Sequence, residues 1–319
     1  MKSLTEDLQY ITNKVNIKRF NNKKVLLIGS NGFLGQWFAD FFDHNTIEYL
    51  KYDVTDGRDI CTPLDDIGRY DFVVNCAGVA SPEKYMKNPM SPLDVSYIGT
   101  KNVLEYCLKH DIESVLLFSS SEVYGTPPPS AIPTSEDFTG TIPTMSNRSC
   151  YDIGKQVLET LVYTYHSQNQ VRAKMVRPFN MYGPYMGLTD GRVLSNWMRN
   201  YLKEEKISIY GNGLQTRTFC YAADGISMML GVLLDGRDGE VYNVGNSSPE
   251  LNIVELATHF YSALESPPQY EVQEYPNSYP SDEPTRRCPD IQKVIETTQI
   301  QPSIPLHIGI RKMYEYYKQ

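Results

Sequence analysis

Disulfide chemistry is absent from this chain. Its 319 residues carry six cysteines, at positions 61, 76, 107, 150, 220 and 288, with no Cys-x-x-Cys pair among them. That scatter excludes a disulfide framework, argues against a zinc ribbon, and points to free thiols in a reducing cytoplasm. Long apolar runs are missing too. Stretches such as Ser114–Phe118 fall far short of the roughly 20 residues that a bilayer span needs. Met1–Phe20 mixes Lys, Glu, Asp and Asn and so has no signal-peptide core. Positive charge is in deficit, with 30 Lys and Arg against 38 Asp and Glu and a net charge of −8. An acidic chain makes a poor partner for nucleic acid or an anionic membrane. No internal repeat or low-complexity tract stands out. What remains is an ordinary globular composition, 41% hydrophobic and 21% charged, at a length that allows two domains.

Leu4, Leu8, Ile11 and Val15 recur at near-helical spacing, which predicts an amphipathic helix in an N-terminal extension, residues 1–22, docked on the same chain. From Lys23 strands and helices alternate. Val25–Ile28, Ile47–Tyr52, Phe72–Asn75, Ser114–Phe118 and Ala173–Val176 read as strands, and Phe33–Phe42, Val95–Leu104 and a long stretch from Cys150 as helices. That alternation predicts an α/β fold, a doubly wound parallel sheet covered on both faces. After Pro178 glycines and prolines punctuate the chain, including a Pro-rich loop from Tyr275 to Pro284. The expected division is a Rossmann dinucleotide-binding domain over 23–178, with 217–246 returning to it. A smaller substrate domain is expected over 179–216 and 247–319.

Gly29-Ser30-Asn31-Gly32-Phe33-Leu34-Gly35 follows the first strand and opens the first helix. Glycines there permit a tight turn, let the backbone approach a pyrophosphate at the positive helix end, and allow helix to pack on strand. Asp53, at the end of the second strand, is placed to grip the ribose hydroxyls, or else Asp53–Asp56 forms the following loop with Asp56 near the adenine. NAD is favoured over NADP, although Lys51 could meet a 2′-phosphate.

Tyr151 and Lys155 stand four apart at the start of a predicted helix and share a face. A cation there stabilises a phenolate and lowers the tyrosine pKa towards working pH, as a general base requires. Ser119-Ser120-Ser121 ends the fourth strand, at the edge of the sheet where α/β ligands bind. Any one of these features is weak evidence. A glycine loop, a strand-end serine and a Tyr-x-x-x-Lys in that order are strong evidence together.

Gly29–Gly35, Asn75-Cys76-Ala77-Gly78, Ser119–Gly125 and Tyr151–Lys155 resemble the extended short-chain dehydrogenase/reductases that epimerise and dehydrate nucleotide sugars. The likeness runs from about Lys23 to the C-terminus, and is strongest to the UDP-glucuronate decarboxylases. Their signatures stand here as Ala80-Ser81-Pro82 with Tyr85, Ser120–Gly125, Arg177-Pro178-Phe179-Asn180, Asp190-Gly191-Arg192, Gln215-Thr216-Arg217 and Arg286-Arg287. The resemblance implies Tyr151 as base at the sugar C4 hydroxyl, Lys155 as its partner, and Ser120 as the hydrogen-bonding hydroxyl. It implies cofactor contacts at Gly29, Asn31, Gly32, Phe33, Leu34, Gly35, Asp53, Asp56, Ala77, Tyr151 and Lys155, and no metal. Ser81, Tyr85, Ser121, Asn180, Arg192, Arg217 and Arg287 would serve a nucleotide-diphosphate sugar. Related 4,6-dehydratases use an Asp-Glu pair where this chain has Ser121-Glu122, so decarboxylation fits better than water loss, with Glu122 at the proton or carboxylate step. The segment between the second strand and Phe72 is shorter than in those decarboxylases, and the N-terminal extension is unlike them.

The function to be expected is NAD-dependent chemistry on a nucleotide sugar through transient oxidation at C4, most like a UDP-glucuronate decarboxylase. A 4-epimerase or a net C4 dehydrogenase of surface-polysaccharide synthesis would use the same apparatus, and a dinucleotide sensor without turnover is the alternative from another class. The family also implies a homodimer, with Val103, Leu104 and Leu158 in a four-helix interface.

Overall fold

The computed structural model describes residues 2–65, 67–275 and 284–318. The Pro-rich loop read from Tyr275 to Pro284 lies almost wholly outside them. Short runs of Val, Leu, Ile and Phe become strands buried on both faces, as a covered parallel sheet requires, and only the edge strand Glu48–Tyr52 is largely open to solvent. They are β1 (Lys24–Ile28), β2 (Glu48–Tyr52), β3 (Phe72–Asn75), β4 (Ser114–Phe118), β5 (Ala173–Pro178) and β6 (Val241–Val244). The sheet runs β2-β1-β3-β4-β5-β6 with every pair parallel. Strand order reverses between β1 and β3, the place where open α/β sheets bind their ligands.

Side-chain alternation along the strands feeds two apolar layers. Val25 and Leu27 of β1 pack with Trp37 and Phe41 of α2 (Phe33–His44) and with α5 (Ala222–Asp235). Leu26 and Ile28 face the other way, onto Val103 and Leu104 of α3 (Thr100–His110) and Leu158 and Val162 of α4 (Ser149–Asn169). α5 is buried from Ala222 to Leu234. A helix apolar all round belongs inside, and this one lies between the sheet and an outer layer.

Beyond β2 the sheet ends. Among the described residues between Tyr52 and Phe72 the chain forms only the 3-10 turn Val54–Asp56 before reaching β3. The second half of the chain is built from small pieces. Ile207–Tyr210 pairs with Tyr270–Gln273, Thr216–Arg217 with Leu251–Asn252 and Arg286–Arg287, and Met181–Tyr182 with Cys220–Tyr221.

The N-terminal helix α1 (Lys2–Lys14) docks on the chain's own body, with Leu4, Leu8, Ile11 and Val15 buried. Its polar groups bind two other helices. Tyr10 donates to Asp224 on α5, and Asp7 accepts from Tyr221 Oη and from Lys312 Nζ on α6 (Leu306–Tyr317), each at 2.8 Å. Val103, Leu104 and Leu158, read from the sequence as interface residues, lie instead in this chain's core, because α3 and α4 turn them onto the sheet. Met90, Tyr97, Ile98, Leu108, Met145 and Tyr163 are apolar residues exposed on or near those helices.

Ile11 is fully buried, so Ile11→Ala is expected to destabilise the protein by about 2–5 kcal/mol, read as a lower urea midpoint. A surface appendage would lose nothing.

Candidate active site

Gly29 turns the chain off β1 with φ +75°, and a Cβ there would stand 2.6 Å from the Ala77 amide nitrogen. At Gly35 a Cβ would lie 2.0 Å from the Gly29 carbonyl oxygen. The turn therefore presses against the end of β3, and the first turn of α2 presses against the turn. Gly32 caps α2 in extended backbone, leaving the first N–H groups of the helix to meet an anion at the cleft.

Asp53 ends β2. Its Oδ2 accepts the Asn31 amide at 2.9 Å, and its Oδ1 accepts the amide and hydroxyl of Thr55 at 3.0 and 2.8 Å. The carboxylate thus braces the glycine loop while still lining the cleft. The following turn carries Asp56 away from the cleft lining, where it accepts from Asn31 Nδ2 at 3.1 Å.

The cleft measures about 1080 Å³ and runs from the glycine loop across the ends of the strands to Tyr210 and Tyr275 of the second half. Every site residue read from the sequence lines it except Asp56 and Arg287. A bare glycine cradle, a helix N-terminus and a strand-end acid on one side of an elongated cleft fit a dinucleotide, with room beyond for a second ligand.

Tyr151 and Lys155 project from the first turns of α4 to the middle of the cleft, and Gly154 between them lets α4 approach the Pro92 carbonyl and Ser96. Tyr151 shares a hydrogen bond with Ser120. Ser120 also accepts the Glu122 amide at 3.2 Å, which holds the 3-10 turn Ser121–Tyr124 at the end of β4. Tyr85 stacks on Tyr151 with ring centroids 5.5 Å apart and planes 13° apart. Lys155 Nζ donates to the Phe118 carbonyl at 2.6 Å and lies 5.8 Å from the centre of the Tyr151 ring.

Burial dominates the electrostatics of this pair. It pushes the Tyr151 phenol up to about 12 despite the Ser120 hydrogen bond, and the Lys155 ammonium down to about 8 despite the Glu159 carboxylate. The depressed tyrosine pKa expected from the Tyr-Lys spacing is therefore not found in the protein alone. The ammonium is engaged by the Phe118 carbonyl rather than by the phenol oxygen.

Glu122 is enclosed by arginines. Arg148 Nη2 donates to Oε2, and Arg287 Nη2 donates to the same oxygen at 2.9 Å. Burial would raise the Glu122 carboxyl, but Arg287, Arg148 and Arg217 together hold it below the usual carboxylate range. Arg287 stands behind Glu122, also donating to the Gly125 carbonyl at 2.8 Å, and so reaches the cleft only through that carboxylate. Arg192 pairs with Asp190 through two nitrogens and lies over the Phe33 ring, while Ser81 Oγ donates to the Asp190 carbonyl at 3.1 Å. Asn180, at φ +40°, donates to the Thr218 carbonyl at 2.9 Å. Arg148 is the site residue that the sequence reading missed. Its position three residues before Tyr151, at the start of the same helix, is the signal that could have found it.

Comparison with known proteins agrees with this geometry. The model of the NAD dependent epimerase/dehydratase family matches residues 25–245. UDP-glucuronic acid decarboxylase 3 of Arabidopsis thaliana is 34% identical over 300 residues, covering 93% of this chain and 83% of that protein. UDP-glucuronic acid decarboxylase 1 of Danio rerio is 32% identical, covering 94% and 73%. Among solved structures, a UDP-glucose 4-epimerase from Thermotoga maritima superimposes with a TM-score of 0.81 at 20% identity, covering 92% of this chain and 98% of its own. A dTDP-glucose 4,6-dehydratase from Streptomyces venezuelae gives 0.79, also at 20% identity, covering 92% and 96%. With its glycine turn, strand-end serine and Tyr-Lys pair gathered in one cleft, the chain belongs to the NAD dependent epimerase/dehydratase family, and is an NAD-dependent enzyme that modifies nucleotide sugars.

Proposed function

We propose that this enzyme decarboxylates UDP-glucuronate through a 4-keto intermediate. The observation that carries the reading is Glu122 held ionised between Arg148 and Arg287, next to a complete Ser120-Tyr151-Lys155 set. The named relatives over most of the chain are decarboxylases of that sugar nucleotide.

NAD held at the glycine turn and Asp53 would supply a hydride acceptor and donor for sugar C4. Tyr151 accepts the C4 hydroxyl proton, with Ser120 stabilising the oxygen that loses it. Lys155 supplies the positive charge that favours the phenolate. A ketone at C4 is β to the uronate carboxylate, so CO₂ can leave with its electrons delocalised onto the ketone oxygen, and C5 of the resulting enolate then takes a proton from water. Arg192 and Arg217 supply planar, permanently charged forks for the anionic diphosphate or uronate. Glu122 stays a carboxylate at neutral pH, so it is poorly suited to donate a proton. Its part is to hold the Arg148 fork in place beside the sugar and to shape the charge that the uronate meets. A hydroxyl at Ser121 in place of a carboxylic acid leaves no obvious acid for water loss, which disfavours a dehydratase.

We further propose a homodimer built on α3 and α4, since Leu108 of α3 and Tyr163 of α4 are exposed apolar residues. The six free cysteines support a reducing compartment, the cytoplasm. No helix among the described residues is long and apolar enough to cross a membrane.

UDP-glucuronate is expected to release CO₂ with NAD recycled. Product of unchanged mass, or none, would overturn the decarboxylase reading. Tyr151→Phe is expected to keep NAD binding and lower turnover by on the order of 10²–10⁴-fold; turnover within about threefold of wild type would remove Tyr151 as the base. Glu122→Gln is expected to slow CO₂ release more than the first burst of NADH absorbance. Light scattering at micromolar concentration is expected to give the dimer mass.

A further inference from the structure

Behind Lys155 lies a charged network that the C4 chemistry does not touch. Glu159 follows Lys155 by one helical turn and Tyr151 by two, so the three share a face of α4. Arg177 of β5 grips the Glu159 carboxylate with two nitrogens, Nε to Oε1 at 2.8 Å and Nη2 to Oε2 at 2.7 Å. Ser119, the residue before Ser120, donates its hydroxyl to Oε1 at 2.5 Å. Arg177 also donates to Tyr124 Oη at 2.7 Å, which in turn donates to Asn243 of β6 at 2.7 Å. The Glu159 and Arg177 side chains are only 16% and 10% exposed. A buried ion pair is often no better for stability than apolar residues of the same volume, so its place against the catalytic face points to another use.

The groups facing Lys155 are few. Tyr151 and Glu159 lie on its own helix, the Phe118 carbonyl comes from β4, and Cys76 comes from the end of β3. Burial keeps the Cys76 thiol protonated and the Tyr151 phenol neutral. Glu159 is therefore the carboxylate whose charge opposes the cost of burying the ammonium. We propose that Glu159, locked by Arg177 and Ser119, is a positioning residue that holds Lys155 in its charged form beside Tyr151. Arg177 keeps the carboxylate at a fixed distance, and Ser119 couples it to the strand end that presents Ser120.

The proposal concerns the Tyr-Lys pair and not the identity of the sugar, so it stands or falls separately from the decarboxylase reading. Burial lowers the Lys155 ammonium to about 8, so its charge is lost as pH rises through that value. Glu159→Gln removes a negative charge and leaves Arg177 uncompensated, and both effects make Lys155 lose its proton at lower pH. The readout is an NMR titration of isotope-labelled lysine side chains in the NAD-loaded enzyme, with the Lys155 signal assigned by its loss in Lys155→Arg. Glu159→Gln is expected to lower the midpoint by on the order of one pH unit. Glu159→Asp keeps the charge and is expected to leave the midpoint near wild type. Should Glu159→Gln fail to fold, the double variant Glu159→Gln with Arg177→Met removes the arginine charge that Glu159 had paired, and its midpoint is expected to fall by less. With any sugar nucleotide that is oxidised, the alkaline limb of first-turnover NADH formation moves the same way. An unmoved or raised midpoint in the folded Glu159→Gln or double variant overturns the proposal, whatever the loss of activity.

Discussion

Gly29 sits where no side chain fits, and most of the molecule is arranged around that contact. With the Ala77 amide nitrogen 2.6 Å from where a Cβ would be, the carboxyl ends of β1 and β3 meet at the reversal of strand order. The turn that leaves β1 must then enter α2 at once, and Gly35 lets the helix lie directly on it. The N-terminus of α2, the strand-end acid Asp53 and the Ser120 turn after β4 come to one edge of the sheet as a result. The second half of the chain completes the other wall of the cleft with residues such as Arg192, Tyr210 and Arg217.

Charge in that cleft is governed by burial and by what opposes it. Lys155 and Tyr151 are buried and Glu122 largely so, yet they end in different states because their neighbours differ. Tyr151 has hydroxyl and aromatic company and stays protonated. Glu122 has three arginines and stays ionised. Lys155 has one carbonyl and one carboxylate, and lies between those extremes. A site that runs acid and base steps near neutrality needs such separation of pKa values among close groups. Here it comes from one helix face and one strand end.

Much of this was legible in the sequence, because backbone rules and motif order leave few choices. Val25–Ile28 followed by Gly29 reads as a strand and a turn, and the spacing of Tyr151 and Lys155 reads as one helix face. Less legible was anything that depended on side chains meeting across the fold. Val103, Leu104 and Leu158 have the same periodicity whether they face the sheet or a partner, and only packing distinguishes the two. Arg287 lies 165 residues from Glu122, too far for spacing to show that it stands behind that carboxylate. Asp56 followed a ligand-binding pattern, but the tight turn after β2 put it outside the cleft. The short passage from Tyr52 to Phe72 was visible in the sequence. Its consequence, a sheet that ends at β2, needed the strand pairing.

The resting state of Tyr151 sets the last constraint on the chemistry. A phenol near 12 is protonated at neutral pH, so the fold does not store a ready-made base. Each pKa unit is about 1.4 kcal/mol of preference for the protonated form, so burial alone makes ionising this phenol at neutral pH costly. Positive charge near the oxygen reduces that cost, and Lys155 is the cation that α4 holds on the tyrosine's own face. The same burial that raises the tyrosine also weakens that cation. If Tyr151 takes the C4 proton as proposed, that transfer is favoured while the ammonium keeps its charge, so the surroundings of Lys155 bear on the working pH as much as those of the tyrosine do.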